Sequence, residues 1–369
     1  MSEFRNTHKI HLCSTTNFCE INHHHTTEVK DYFVKNNYEL VLSPEEATDI
    51  VVMTCGALQS SEDRSISLLE KMGVNSTDKN FYIMGCLPAI NGDLPVFKNV
   101  KIIGTRDFRA LEEIFPATIA LSEIETNQID YDFIHIENGI SNRFTIIAVQ
   151  GCLGNCTYCA IHKAKGLAKS LPMDVILSRC KNIIKNNHKP IIAFLGEDFG
   201  SYGSDIGSDP AELLKKVSEI EGDFEIEIQN FEPSRFLLFY EQLKEIFKLN
   251  IITKIHIAIQ TGSQQVLARM GRRYDIDAVV ERIKQASELS PSLVLETSFI
   301  INFPGETRND FLKTLNLLPV FGEVTVFNFS PRFGTKASTM DMEILDEERQ
   351  ERVHMVKQLT TVHPTLVLM

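Results

Sequence analysis

Between Gly151 and Gly166 the chain reads GCLGNCTYCAIHKAKG, with Cys152, Cys156 and Cys159 spaced C-x3-C-x2-C. Soft thiolates at that spacing suit an iron–sulfur cluster or a zinc ion. A closed zinc site takes four ligands, and no fourth cysteine follows nearby. His162 would have to complete it from a position too close to Cys159 for easy tetrahedral closure. Three thiolates on a cubane of four irons instead leave one iron open to a small molecule. The plain structural alternative is a disulfide staple or three buried thiols. Tyr158 sets an aromatic ring just before the last cysteine.

An element must hold that loop still, and the pattern around it predicts one. Strand-like runs fall at residues 144–149, 190–195, 224–228, 254–259, 293–301 and 324–329. Helical spacing fills 172–186, 210–220, 233–247, 264–286 with a break near Gly271, and 306–318. The result is a (βα)6 run, short of the eight units of a closed barrel. In barrels of this kind, chemistry gathers at the carboxyl ends of the strands. There the chain places the cysteine loop, Gly196–Glu197–Asp198, Asn230 and Glu232, Gln260 and Ser263, Asn302 with Pro304–Gly305, and Arg332.

Residues 1–135 read as a separate open, parallel α/β sheet. Strands are expected at 9–13, 49–54, 81–85 and 100–103, and helices at 27–36, 59–72 and 107–114. Cys13, Cys55 and Cys86 each close a predicted strand, and such ends share the sheet edge where ligands bind. They either converge as thiolates or serve as small buried hydrophobes. Cys19, in a predicted loop, and Cys180, in a helical pattern, read as plain thiols. His23, His24 and His25 read as a solvated loop, because adjacent residues cannot all face one ion. Residues 123–142 are polar and acidic and read as the linker, with one short strand at 132–136. A central domain at 136–340 and a tail at 341–369 complete the division.

The whole chain has 369 residues, 43 % hydrophobic content, no tryptophan and a net charge of −12. An acidic balance counts against non-specific nucleic-acid binding. Eight cysteines, clustered in an enzyme-sized chain, point to metal in a reducing compartment rather than a disulfide scaffold. Residues 1–13 lack the pattern of a secretory signal, and no run approaches a membrane span. A cytoplasmic protein without membrane attachment is the expectation.

The motif of Cys152, Cys156, Tyr158 and Cys159 resembles the radical S-adenosylmethionine (SAM) signature, CxxxCxxΦC with Φ aromatic. The resemblance implies an open iron holding the amino and carboxylate groups of SAM. It also implies that the reduced cluster cleaves SAM to methionine and a 5′-deoxyadenosyl radical. Cys13, TCG at Thr54–Gly56 and GCL at Gly85–Leu87 resemble the three N-terminal cysteine motifs of the radical-SAM methylthiotransferases. In that family these hold an auxiliary 4Fe–4S cluster. IIGTRDF (102–108), HIAIQTGSQQVLARMGRRY (256–274), NFPGET (302–307) and FSPRFGT (329–335) are similar to motifs of the same family. GEDFGSYGSDIG (196–207) is most similar to its tRNA-threonylcarbamoyladenosine branch.

The resemblance therefore implies two 4Fe–4S clusters, SAM, and replacement of a C–H bond by C–S–CH3. It implies Gly196 and Glu197 at the SAM ammonium, Tyr158 near the adenine, and Gln260 bonded to SAM or substrate. Arg272 and Arg273 would meet the SAM carboxylate, or form a surface basic pair. An external donor of flavodoxin or ferredoxin type would supply electrons. Two departures stand out. Ser298 and Asn302 replace an Asp and a Gly, so that an acidic contact is lost or passes to Glu296. After FSPRFGT there is also no room for the family's substrate-gripping β-barrel module. With only Lys163, Lys165 and Lys169 near the cysteines to meet phosphate, the expectation turns to a peptide or small-metabolite substrate. The alternatives are a tRNA adenosine, a radical-SAM enzyme whose auxiliary cluster only transfers electrons, and a non-catalytic zinc or cluster module.

Overall fold

The computed structural model describes residues 8–16, 19–74, 78–91, 100–106, 108–131, 133, 142–340 and 344–369. The chain divides into two compact units, residues 1–145 with 160–166, and residues 146–159 with 167–369.

The first unit is built on β1 (Lys9–Ser14), β2 (Glu39–Leu40), β3 (Asp49–Thr54), β4 (Asn80–Gly85) and β5 (Val100–Ile102). They form a parallel sheet in the order β2-β1-β3-β4-β5. The apolar run of β3 is buried throughout, as a central parallel strand requires. Side-chain alternation divides the core in two. Ile10, Leu12, Val51 and Met53 pack with Tyr32, Phe33 and Phe115, whereas Ile50, Val52, Phe81 and Ile83 pack with Leu69 and Val74. The helices are α1 (Glu20–Lys35), α2 (Gln59–Lys71), α3 (Leu87–Ile90) and α4 (Arg109–Ile114), and the returning segment adds α5 (Ile161–Lys165).

Helix α1 starts well before the predicted residue 27, and this corrects the reading of the histidine run. His23, His24 and His25 lie inside α1 and are buried. Each has a partner from a different segment: His23 Nε2 meets Thr16 O at 3.1 Å, His24 Nδ1 meets Thr145 Oγ1 at 2.8 Å, and His25 Nδ1 meets Glu28 Oε2 at 3.0 Å. A bidentate pair from Arg143 to Glu20, at 2.9 and 3.1 Å, fixes the helix start. The short strand expected at 132–136 falls outside the described residues.

The second unit carries β6 (Arg143–Gln150, from Ile146 onward), β7 (Lys169–Ser170), β8 (Ile191–Gly196), β9 (Glu225–Phe231), β10 (Ile252–Ile257), β11 (Val294–Ile301), β12 (Glu323–Asn328) and β13 (Leu366–Leu368). Their order is β13-β12-β11-β10-β9-β8-β6-β7. Strands β8 to β13 run parallel to one another, while β7 pairs antiparallel with the end of β6. The six expected strands are β6 and β8 to β12. The connecting helices are α6 (Met173–Asn186), α7 (Pro210–Ser218), α8 (Pro233–Phe247), α9 (Gln264–Arg269), α10 (Ile276–Leu289) and α11 (Arg308–Leu315). Gly271, at φ +74°, separates α9 from α10 at the expected break.

The tail is not separate. Helix α12 (Asp346–Thr360) buries Arg352 against Glu306 at 3.0 Å, and β13 extends the sheet beside β12. No helix among the described residues is long and apolar enough to cross a membrane.

Candidate iron–sulfur sites

Strand β6 ends at Gln150, and Gly151 turns the chain at φ +85°. Glu197 Oε2 accepts the Gly151 N–H at 2.7 Å, and Ser201 Oγ accepts that of Leu153 at 3.3 Å. Thr157 is held at three points. Its N–H donates to Met270 O and its hydroxyl to Arg269 O, both at 2.9 Å, and its carbonyl accepts from Ala337 N at 2.9 Å. The cysteine loop is thus clamped by the end of β8, by α9 and by the segment after β12.

Within the loop, Gly154 sits between two sulfurs. A Cβ there would lie 3.1 Å from Cys152 Sγ and 3.9 Å from Cys156 Sγ. The Gly154 N–H donates to Cys152 Sγ at 3.1 Å. Burial pushes the Cys152 thiol up to about 12, and Asp198, Cys156 and Cys159 push the same way. Three thiolates held this close need positive charge, which a metal cluster supplies. The loop's three cysteines fall one short of the four ligands of a closed zinc site. A cubane spreads its thiolates over separate irons, so this donor set fits a cluster better than zinc.

The other expected residues distribute as follows. Tyr158 packs its ring among Val266, Met270, Phe303 and Ala337, and its hydroxyl accepts from Arg272 Nε at 3.1 Å. Arg272 also donates to Ala258 O at 3.0 Å and lies 3.6 Å from Glu232. Arg273 is exposed, and of the two arginines it is Arg272 that bonds the loop, through Tyr158. Gly196 is required sterically, since a Cβ would meet Val149 Cγ1 at 2.7 Å. Gln260 is buried at φ +73° and bridges β10 to β11 through its backbone, bonded to Ser298 O and Ile300 N at 2.8 Å. Ser298 Oγ lies 2.8 Å from His256 Nε2, while Glu296 lies 3.7 Å from Lys254.

Asp198 is more central than its sequence position suggested. It is buried, 3.8 Å from Cys152 Sγ, and accepts from Gly200 N at 2.9 Å, Glu232 N at 3.1 Å, Arg235 Nε at 3.1 Å and the Ser201 hydroxyl. Burial holds its carboxyl above the usual range, against the pull of Ser201 and Arg235.

In the first unit, the end of β3 is a meeting point. The Thr54 carbonyl accepts both the Cys86 N–H at 3.1 Å and the Asn22 side-chain amide at 3.3 Å. Cys55 follows Thr54, and Gly85 is paired with Thr54 in the sheet at φ +88°. One carbonyl therefore gathers Cys55, Cys86 and the first turn of α1, whose N-cap is Cys19. Burial raises the Cys19 thiol, and the nearby Cys55 and Cys86 raise it further.

Cys13 does not join this group. It is paired with Val52 inside the sheet, and its side chain packs with Ile50, Val52, Phe81 and Ile83. Three positions of strand separate that level from Cys55, roughly 10 Å. Burial alone pushes its thiol up to about 12. Of the expected trio, Cys55 and Cys86 lie together at this edge and Cys13 does not, and Cys19 stands beside them instead. The available signal was the loop-to-helix position of Cys19, which matches the N-cap position of Cys86. The misplaced start of α1 concealed it. Cys180 is a buried helix thiol, as expected.

Residues 146–318 match the Radical SAM superfamily, and residues 11–102 match uncharacterized protein family UPF0004. A probable threonylcarbamoyladenosine tRNA methylthiotransferase of Pyrococcus abyssi is 32 % identical over 82 % of this chain and 72 % of that protein. The ribosomal protein uS12 methylthiotransferase RimO of Clostridium perfringens is 30 % identical over 88 % of this chain and 76 % of that protein. The radical S-adenosylmethionine methyltransferase TsrM of Kitasatospora setae shares the fold, with TM-score 0.59 at 11 % identity over 96 % of this chain and 79 % of that one. The two matched regions, in this order and with these relatives, leave one conclusion: the chain belongs to the radical-SAM methylthiotransferases, enzymes that use SAM and two 4Fe–4S clusters.

Proposed function

We propose that this methylthiotransferase acts on tRNA, at an adenosine carrying a threonylcarbamoyl group. The observation that carries the reading is its likeness to proteins of that name at 30 and 32 % identity along four-fifths of the chain. The SYGSDIG phrase at 201–207 supports the same branch. The expected peptide or small-metabolite substrate gives way, because the relatives are named for tRNA or for ribosomal protein uS12.

In this reading Cys152, Cys156 and Cys159 hold one 4Fe–4S cluster, and Cys19, Cys55 and Cys86 hold the other. Bound with SAM, these groups supply the hydrogen abstraction, the sulfur and the methyl that turn C–H into C–S–CH3. The chain's own part is positional. Glu197 anchors the first cysteine loop through Gly151 N–H. Asp198 ties Cys152 to the start of α8. Tyr158 packs against the apolar cluster of Val266, Met270 and Phe303 and so fixes the loop just before Cys159. Arg272 sets a buried positive charge near Cys156. A flavodoxin- or ferredoxin-type donor supplies electrons.

Anaerobic incubation with SAM, reductant and tRNA bearing threonylcarbamoyladenosine should add SCH2 to that nucleoside by mass spectrometry. Unmodified tRNA alongside modified uS12 or a modified small molecule would overturn the substrate. A product without sulfur would favour a second cluster confined to electron transfer.

A further inference from the structure

Helix α5 carries a buried cation with no part in the roles above. Lys165 is 2 % exposed, and its Nζ donates to Thr105 O at 2.8 Å. The Thr105 hydroxyl donates back to Ala164 O at 2.6 Å, so the helix end and this segment are doubly tied. Ala160, Ile161 and Ala164 pack against Cys86 and Ile90. Directly after Lys165 the chain turns at Gly166, φ +63°, where a Cβ would come 2.8 Å from the Arg106 guanidinium. The lysine ammonium is therefore held by the Thr105 carbonyl, on the helix that packs against Cys86.

Burying an ammonium is costly unless negative charge lies near it. Three thiolates gathered at one sheet edge concentrate such charge. We infer that Lys165 is the charge partner of the Cys19, Cys55 and Cys86 trio, a positioning residue that favours retention of the bound cluster and raises its reduction potential. The inference rests on the ligation proposed above. It also takes Lys165 away from the phosphate-facing role that the sequence allowed it.

The test is an EPR-monitored redox titration of the full-chain holoenzyme, in which added SAM marks the signal of the first cluster. Iron loss to a chelator is measured alongside. Lys165→Met and Lys165→Gln should both lower the potential of the second cluster and speed its loss, while Lys165→Arg stays near the wild type. Circular dichroism controls for folding. Wild-type potential and retention in either neutral variant, or an arginine variant that behaves like the neutral ones, overturns the inference. Cys55→Ala and Cys86→Ala separate the two claims. If they keep the second cluster, the ligation itself fails. If they lose it while the neutral lysine variants do not change, only the role of Lys165 fails.

Discussion

Gly154 shows how much a single hydrogen in place of a methyl can decide. Its missing Cβ leaves room between Cys152 and Cys156. Gly154→Ala should therefore cost the first cluster and spare the second, halving the iron found after anaerobic reconstitution. A full complement of iron in that variant would contradict the reading of the loop. His256 offers a second test. Burial, with help from Lys254 and Arg272, lowers its pKa from 6.5 to about 4. Between those values the unfolded chain binds more protons, so this residue subtracts stability as pH falls from 6.5 and has no such effect above it. The whole effect is about 3 kcal/mol. His256→Gln should flatten that limb of the stability–pH curve in urea titrations, and an unchanged slope would count against a buried neutral imidazole. At this scale residue types were legible and partners were not. Three cysteines in one short loop announce themselves. Setting Cys19 rather than Cys13 beside Cys55 and Cys86 needed the Thr54 carbonyl, since the loop-to-helix position of Cys19 was hidden by the misplaced start of α1.

Secondary structure was most readable where one period ruled. DIVVMT in β3 and the amphipathic run of α8 could be bounded closely, because burial there follows the backbone repeat. Strands β7 and β13 are too short to show a period and owe their existence to neighbours. Helix α1 was mis-started because its first turns are polar residues whose partners come from elsewhere. The docking of α12 was hidden for the same reason. Its anchor is a charge, Arg352, paired with Glu306 and, at 2.8 Å, with Glu348. Arg352→Ala leaves a carboxylate buried without its partner and should cost about 3–5 kcal/mol in urea denaturation. Removing both charges with Arg352→Met and Glu306→Gln should cost less than the alanine change alone. An equal or greater loss would show that packing, not the ion pair, anchors the helix.

Across the whole molecule, net charge turned the sequence reading away from the two substrate classes for which the relatives are named. A balance of −12 describes the sum and not the distribution. Lys163 and Lys169 are exposed beside the first cysteine loop in the sequence, and Lys165 is not. If the first two meet tRNA phosphates, Lys163→Gln and Lys169→Gln should each reduce the slope of log K against log salt by about 1. A slope that neither change alters would place the tRNA contacts elsewhere. The family was legible from motifs spread along the chain, whereas the substrate depended on relatives. The central claim is that six cysteines, Cys19 among them and Cys13 not, build two clusters. Anaerobic iron and sulfide counts on a Cys152, Cys156 and Cys159→Ala chain test it most directly. That chain should keep about four irons. Adding Cys19→Ala should remove them, and adding Cys13→Ala should not. The opposite pattern, with iron lost through Cys13 and kept without Cys19, would contradict the account.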